Sequence, residues 1–296
     1  MNSIATRQNL EVNITRLAAQ RRLYSVVKIL FYSRTVIAVA LAVLGPLVGA
    51  AKPELKTAIA ALALCFVLID LFLENGESSR RTKAAKIQEM FDCDVLEIPW
   101  NEIAAGKKVD AEDVRAASKK IKNLAAQKLD DWYPPETSKI DITIARIICQ
   151  RANVSWDTKL RRFFAHGYVI ALVILIGISL KLNWDQKLSD FILNISPVIP
   201  LLKILIQQMV SQYRTAGNTD NIKTQADALI ADAECSVDPL ELTMRSRSLQ
   251  DEIYRHRKSA QPIPDVVYWI FRNAFEDEMG YSASNKVAEI LKESSS

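Results

Sequence analysis

The chain has 296 residues, 49% of them hydrophobic and 24% charged, with a formal net charge of +4. A charge this small gives no electrostatic argument for a nucleic-acid-binding protein, so no DNA binding is expected. The composition as a whole is ordinary for a soluble protein, but the apolar residues occur in blocks. Where the apolar blocks and the charges lie is therefore more informative than how many there are.

The first 34 residues predict an amphipathic helix that leads into a membrane. Apolar residues such as Leu10, Ile14 and Leu17 recur near a period of 3.6, with arginines between them. Such a helix would lie on the inner leaflet or pack on the cytoplasmic part of the chain. The second arrangement is the commoner one when other soluble helices are present.

Four apolar segments are each long enough to cross a bilayer as a helix, which takes roughly 20 residues. Their connectors, KPELK and KLNWDQK, are so short that they predict two antiparallel hairpins, at 35–73 and 163–210. The fourth segment is the weakest, because it contains polar residues and two prolines. A buried or interfacial helix is the alternative there. The segments are Thr35–Ala51, Thr57–Leu73, Phe163–Leu180 and Leu188–Val210.

Lysine and arginine residues cluster on one side of these hairpins. They precede the first segment, follow the second and precede the third, whereas each short opposite loop has only two lysines. The positive-inside rule places the basic side in the cytoplasm. We therefore expect a multi-pass membrane protein with both termini in the cytoplasm.

The cytoplasmic parts are also predicted to be helical. The insert, 74–162, begins as an extension of the second segment, and after an irregular link it is expected to form a helix over 109–133. Residues 145–164 predict a helix that continues into the third membrane segment without a break. The tail, 211–296, begins as an extension of the fourth segment. The sequence thus predicts an all-α integral membrane protein with two transmembrane hairpins, a helical insert and a helical tail.

Sequence motifs for catalysis or metal binding are missing. The eight glycines are scattered, so there is no phosphate-binding glycine loop. Two histidines and four widely spaced cysteines match neither a zinc site nor a disulfide framework. We therefore expect no catalytic residue, no metal and no cofactor, and we do not expect an enzyme.

A basic and aromatic stretch precedes the third membrane segment. Arginine forks match phosphate groups, and aromatic rings give a nucleobase a face to stack on. Candidate residues for an anionic ligand are therefore Arg146, Arg151, Trp132, Tyr133 and Trp156. The alternative is that the arginines pair with nearby aspartates or follow the positive-inside rule. In either case the stretch is expected to couple the insert to the membrane.

Two features of the first hairpin predict how its helices pack. Gly45 and Gly49 are four residues apart, and a small face of this kind lets helix backbones approach closely. Arg34 and Asp70 are expected at similar depth near the cytoplasmic side. Pairing there would offset the cost of inserting a charge, roughly 2.5–3.5 kcal/mol. Otherwise Arg34 would extend its guanidinium to the lipid headgroups.

The fourth segment contains the polar residues that best suit the lining of a pore. Asp190 and Asn194 are one helical turn apart, and Lys203 and Gln207 are one turn apart nearer the cytoplasm. Two prolines between the pairs would weaken the helix and provide a hinge. The alternative is a closed bundle that buries the same groups.

Four unusual strings surround the membrane segments, in the order LAAQRRLYSVVK, KIQEMFDCDVLEIPWN, DWYP and RIICQRANVSWDTKLRR. They resemble the SMODS-associated four-transmembrane effector family, in the order in which that family has them. The resemblance covers most of residues 14–210 and is weaker in the tail.

The resemblance implies a membrane effector of the cyclic-oligonucleotide (CBASS) type of anti-phage system, in the bacterial inner membrane. In such systems a partner nucleotidyltransferase makes a cyclic oligonucleotide, and the effector then oligomerises and permeabilises the membrane, so that growth stops or the cell dies. The expected partners are therefore the lipid bilayer, a cyclic oligonucleotide, further copies of the chain and, functionally, the nucleotidyltransferase. The resemblance supplies no ligand motif at the level of residues. A constitutive channel or transporter, and a membrane scaffold without pore activity, are the alternatives.

Overall fold

The computed structural model describes residues 2–121, 128–154, 157–234, 238–263, 281 and 284–292. Within these residues the chain is helical and has no strand, as the sequence predicts. Three short 3-10 turns and a final helical segment at 284–292 complete the described secondary structure. In chain order the helices are α1 (Ile4–Gln8), α2 (Glu11–Ala51), α3 (Lys56–Val95), α4 (Glu102–Ala105), α5 (Ala111–Ser118), α6 (Ile142–Ala152), α7 (Asp157–Leu182), α8 (Leu188–Ile195), α9 (Ile199–Glu234) and α10 (Pro239–Ser259).

The first hairpin consists of α2 and α3, which have 41 and 40 residues and run side by side. At 1.5 Å per residue each is roughly 60 Å long, about twice the hydrocarbon thickness of a bilayer. One half of each helix therefore spans the membrane and the other half extends beyond it. The outward residues of the membrane halves are large and apolar; Leu47, Leu68 and Phe72 are each more than half exposed.

The second hairpin consists of α7, α8 and α9, and α7 packs along α9. The predicted break in the fourth segment is present, because α8 ends at Ile195 and a 3-10 turn at Ser196–Val198 separates it from α9. Beyond this turn α9 continues for 36 residues. The four predicted spans are confirmed by helices long and apolar enough to cross a membrane, at Glu11–Ala51, Pro53–Val95, Leu160–Leu182 and Leu188–Ala233.

The halves of the long helices that extend beyond the membrane form a core with the shorter ones, which we call the extramembrane core. Helices α1 and α10 pack against α3, α6 and α10 pack against α9, and α6 and α10 pack against each other. Phe91, Ile147, Leu249 and Ile253 are fully buried there. Because removal of this apolar surface from water favours association, the insert and the tail are held around the extensions of the membrane helices.

The insert departs from its predicted course. The described part of the helix expected over 109–133 ends at Ser118, and the chain at Asp131 has a positive φ of 49° instead of a helical one. Gln8 explains the difference: its side chain accepts from the Tyr133 backbone N–H and donates to the Tyr133 carbonyl. These long-range bonds satisfy groups that a helix would have paired locally. The prediction of a single helix over this stretch is therefore wrong.

The basic stretch before the third membrane helix is also interrupted. It was expected to continue into the membrane without a break, but α6 ends at Ala152 and α7 begins at Asp157. Asn153 lies in the turn after α6 and donates from Nδ2 to the Tyr133 hydroxyl at 2.9 Å. This bond ties the end of α6 to the extramembrane core. The prediction of a continuous helix is wrong, because residues 153–154 form a turn.

Gly45 provides the space in which the turn between α8 and α9 packs on α2. A Cβ atom at Gly45 would lie 2.5 Å from Pro197 Cβ, closer than real Cβ atoms approach. At Gly49 the nearest atom is Lys56 Cγ at 3.2 Å, which belongs to a flexible side chain. Of these two glycines, Gly45 is therefore the one that lets the second hairpin pack closely on α2.

We expect Gly45→Val to lower the thermal stability of the detergent-solubilised protein, because the added side chain collides with the Pro197 ring. Overpacking of this kind costs about 1–3 kcal/mol. The matched control is Gly177→Val on α7, where no neighbouring atom lies within 4 Å of an added Cβ. Equal unfolding temperatures for the two variants would contradict the role of Gly45.

Candidate functional site

Charged side chains of the first hairpin meet where its membrane half ends and its extramembrane half begins. Arg34 on α2 donates from Nε to Asp70 Oδ1 at 2.6 Å and from Nη1 to Glu77 Oε2 at 2.7 Å. Its Nη2 donates to Asp70 Oδ2 at 3.2 Å. Arg34 is 5% exposed, and Asp70 and Glu77 are 1% exposed. The structure thus brings Arg34 and Asp70 together as an almost completely desolvated pair.

The second hairpin joins the same group of charges. Lys203 on α9 donates from Nζ to Asp70 Oδ2 at 2.6 Å and to Glu74 Oε2 at 3.3 Å. Gln207, one turn further along α9, donates from Nε2 to both Glu74 carboxylate oxygens at 3.4 Å. Two of the four residues predicted to line a pore therefore contact the first hairpin.

We call Arg34, Asp70, Glu74, Glu77 and Lys203 the ionic cluster. Burial of such charges costs several kcal/mol per ion, which good geometry and multiple hydrogen bonds offset only in part. The removal of one partner is more costly, about 3–5 kcal/mol, because it leaves an uncompensated buried charge. The ionic cluster therefore holds the two hairpins in one arrangement more than it adds net stability.

Arg81 connects the ionic cluster to the tail. Its Nη1 donates to Glu77 Oε1 at 3.2 Å and to Gln261 Oε1 at 2.9 Å, while its Nε donates to the Lys258 carbonyl at 3.0 Å. Arg161 on α7 reaches the same part of the tail and donates to the Gln261 carbonyl at 3.2 Å. The segment after α10 is thus bonded to both hairpins.

A second buried polar network lies deeper in the extramembrane core, around Asp92. This carboxylate accepts from the Tyr133 hydroxyl at 2.7 Å, from Gln250 Nε2 at 2.8 Å and from the Arg257 guanidinium. Burial, together with the nearby Asp92 charge, raises the pKa of Tyr133 well above its usual value, so the phenol stays protonated and donates. The Tyr133 ring is 1% exposed and stacks on Phe91. Its face is covered by protein.

Trp132 and Arg146 also lie against the extramembrane core. Trp132 is partly buried there. Arg146 is buried and donates to the Ile142 carbonyl at 3.2 Å and to Thr243 Oγ1 at 3.5 Å. Burial lowers the pKa of its guanidinium, although the group stays charged at neutral pH.

Arg151 connects the insert to the fourth membrane helix. Its Nε donates to the Asp227 carboxylate on α9, which joins α6 to the extramembrane half of that helix. Pairing with an aspartate is the alternative to ligand binding that the sequence offers for this arginine. Trp156 lies outside the described residues. Tyr133, Arg146 and Arg151 thus contact different parts of the extramembrane core.

The outer pair of predicted pore residues lies apart from the ionic cluster. Asp190 and Asn194 belong to α8, on the far side of the 3-10 turn from Lys203 and Gln207. Asn194 donates from Nδ2 to Asn183 Oδ1 at 2.8 Å, which bonds α8 to the loop after α7. The four residues therefore form two polar groups separated by the turn.

The part of the chain that the structure describes holds no group of three or more His, Cys, Asp or Glu side chains placed to bind a metal ion. Among the thiols, Cys149 is buried in the core, and this burial raises its pKa to about 12. A thiol that stays protonated is a poor nucleophile.

Three members of the site were missed from the sequence: Glu74, Glu77 and Arg81. A signal for them was present, because Asp70, Glu74, Glu77 and Arg81 follow one another at intervals of four, three and four residues. This spacing puts them on one face of a helix. A charged face that begins inside an apolar segment predicts a partner on a neighbouring helix.

The sequence model of a protein family, the SMODS-associating 4TM effector domain, matches residues 2–286 of this chain. The chain belongs to this family. A probable CBASS effector molecule of Bacillus cereus (strain VD146) is 26% identical over 287 residues, which cover 92% of this chain and 94% of that protein. No solved structure matches the chain. With its four membrane-crossing helices, the effector is a multi-pass membrane protein of bacterial anti-phage defence with a functional link to a signalling system.

We expect Asp70→Asn to destabilise the purified effector by about 3–5 kcal/mol, because it leaves two cations without their shared buried carboxylate. Lys203→Gln should cost less, since the Lys203 side chain is 19% exposed and keeps some hydration. In a double-mutant cycle, the combined variant should be less destabilised than the sum of the two single variants. Glu54→Gln, in the exposed outer turn, is the control. Strict additivity would show that the Asp70–Lys203 contact is not energetically coupled.

Proposed function

We propose that a cyclic oligonucleotide, made by a partner nucleotidyltransferase, activates this effector to oligomerise and to permeabilise the bacterial inner membrane, which stops growth or kills the cell. The proposal takes both termini to be cytoplasmic. The observation that carries it is the ionic cluster, which joins the two hairpins at the end where the cytoplasmic helices enter the membrane. A cytoplasmic signal that acts on this contact would change how the two membrane hairpins pack.

The orientation is supported by the position of the basic residues. Arg34, Arg81 and Arg161 all lie at the end of the membrane helices where the insert and the tail emerge. The two outer turns together contain few basic residues. By the positive-inside rule the ionic cluster then lies at the cytoplasmic leaflet.

The polar groups of α9 supply a way to form a pore. In the described arrangement Lys203 and Gln207 use their donors on Asp70 and Glu74, inside the bundle. If the hairpins separate there, the same groups need water or groups on a second copy of the chain. We propose that they then line an aqueous path, with Asp190 and Asn194 towards its outer end. Polar side chains inside a membrane commonly mark such paths.

The long helices supply a way for a signal to reach the ionic cluster. α9 extends from the membrane to Glu234, and Arg151 bonds its cytoplasmic half to α6. A shift of the insert or the tail would therefore change the position of α9 without an intervening hinge in that helix. To change the open-to-closed ratio from 1:99 to 99:1, a ligand must favour the open state by about 5.5 kcal/mol. This is close to the cost of leaving one charge of the cluster uncompensated.

The direct test is uptake of a membrane-impermeant dye by cells that express the effector. We expect uptake when the effector is expressed with its active nucleotidyltransferase, and none when that partner carries a substitution that abolishes nucleotide synthesis. Because Asp70→Asn weakens the contact between the hairpins, it should give uptake with either form of the partner. Uptake by the unmodified effector that does not depend on the partner would favour a constitutive channel, and no uptake in any arm would favour a scaffold.

A second arm of the same assay tests the lining of the path. Gln207→Cys, in a chain whose native cysteines are replaced by alanine, should make triggered dye uptake sensitive to a charged, membrane-impermeant thiol reagent. The control is Phe72→Cys on α3, whose side chain is 80% exposed on the apolar outer face. Equal sensitivity of the two variants would remove α9 from the lining.

A further inference from the structure

Two buried arginines from different hairpins converge on one residue of the tail. Arg81 of α3 donates to Gln261 Oε1 and Arg161 of α7 donates to the Gln261 backbone carbonyl. Arg81 and Arg161 are only 8% and 6% exposed. Gln261 follows the end of α10 at Ser259, in a stretch without regular structure, so it can move without the loss of helical hydrogen bonds.

Two glutamines of α9 border this place, and each has an unused polar atom. Gln212 accepts from Arg161 through Oε1 at 2.8 Å, but its buried Nε2 has no hydrogen-bond partner. Gln208, one turn earlier on α9, has a buried Oε1 that also has no partner. Gln212 is 0% exposed and Gln208 is 4% exposed, so bulk water does not supply a hydrogen-bond partner for either atom. A buried polar atom without a partner costs about 1–3 kcal/mol.

Apart from the Glu77 carboxylate, four oxygens that accept from the two arginines are neutral. Arg81 donates to the Lys258 carbonyl and to the Gln261 amide oxygen in addition to its ion pair with Glu77. Arg161 donates to the Gln212 amide oxygen and to the Gln261 carbonyl. A phosphodiester carries a negative charge that these four oxygens lack, and its oxygens match the fork of a guanidinium. A phosphodiester group would therefore compete with them for these donors.

The guanidinium of Arg257 and the ring of Tyr24 lie near Arg81. Arg81 and Arg257 both act electrostatically on the hydroxyl of Tyr24, which places these side chains in one neighbourhood. Arg257 pairs with Asp92 through Nη1, while its buried Nη2 has no partner. A cyclic oligonucleotide has more than one phosphodiester and a base for each, so a further donor and a ring suit it better than they suit a single phosphate ion.

We propose that Arg81, Arg161 and Gln212 form the binding site for a phosphodiester group of a cyclic oligonucleotide, and that Gln261 occupies this site when the nucleotide is absent. The site rests on the proposed function for its ligand and deepens it by naming where the signal binds. The nucleotide displaces Gln261, and the Gln212 amide becomes a donor to it.

The location explains how binding reaches the membrane. Arg81 shares Glu77 with Arg34 of the ionic cluster. When Arg81 turns to a phosphodiester, Glu77 loses one of its two cations and the balance of charge around Arg34 changes. Binding of the nucleotide at the tail therefore weakens the contact between the hairpins. A ligand shifts a conformational equilibrium only if it binds one state more tightly than the other, and this weakening provides that difference.

The test is equilibrium binding to the full-length effector in lipid nanodiscs of zwitterionic phosphatidylcholine. The probes are cyclic di-AMP, cyclic GMP–AMP and cyclic tri-AMP, with ATP and inorganic phosphate as comparisons. We expect at least one cyclic probe to bind, and Arg161→Met to weaken its binding at least about 10-fold. The matched control is Arg162→Met, the next residue, which is exposed and pairs with Asp220. It should bind as the unmodified effector does.

Two further variants distinguish the loss of a binding contact from a folding defect. Gln212→Leu keeps the volume of the side chain and removes only the amide, so it should fold and still weaken binding. Gln261→Ala removes one competing oxygen and should tighten binding several-fold. The site is overturned if Arg161→Met and Arg162→Met bind alike, or if Gln261→Ala weakens binding.

The outcomes also separate the site from the proposed function. If dye uptake in cells depends on the nucleotidyltransferase but Arg161→Met binds the probe normally, the site is wrong and the proposed function stands. If Arg161-dependent binding occurs without dye uptake, the site stands and permeabilisation fails. A repeat in nanodiscs that contain phosphatidylglycerol tests the other source of a phosphodiester. Retention of this lipid that depends on Arg161, with no binding of any cyclic probe, would assign the site to a lipid headgroup and overturn the proposal.

Discussion

The carboxylate of Asp70 accepts from Arg34 on one hairpin and from Lys203 on the other, at a depth where water is largely excluded. The arrangement of the four membrane helices depends on this shared acceptor. Apolar side chains pack against lipid almost as well as against one another, so they provide little force to fix which helices are neighbours. A buried carboxylate with two cations provides that specificity, because any arrangement that separates them leaves a charge in hydrocarbon.

The same interaction makes the membrane part responsive. Packing between apolar faces changes little when a neighbouring charge moves, whereas a balanced group of buried charges responds to the gain or loss of a single partner. The ionic cluster is continuous with the tail through Glu77 and Arg81. The close packing of Pro197 against Gly45 lies further along the same interface. The two hairpins are thus held by one electrostatic contact and one steric contact.

Much of the fold was predictable, because transmembrane spans and short turns leave strong patterns of apolar residues and basic flanks. The depth of Arg34 and Asp70 along their helices also predicted their proximity. The partner of Lys203 was not predictable in this way, because it depends on how the two hairpins face each other. The course of the insert was also missed, since the bonds of Gln8 to Tyr133 join residues 125 positions apart. Local propensity favoured a helix there, and long-range hydrogen bonds outweighed it.

The distance between α3 and α9 near the ionic cluster tests the central claim most directly. Spin labels at Ser79→Cys and Arg214→Cys, two exposed positions, report this distance in the full-length effector with its native cysteines replaced by alanine. The account predicts one short distance in the resting protein, a longer one after the nucleotide signal is added, and the longer one without the signal in Asp70→Asn. A distance distribution that is the same in all three samples would contradict the claim that the ionic cluster holds the hairpins closed.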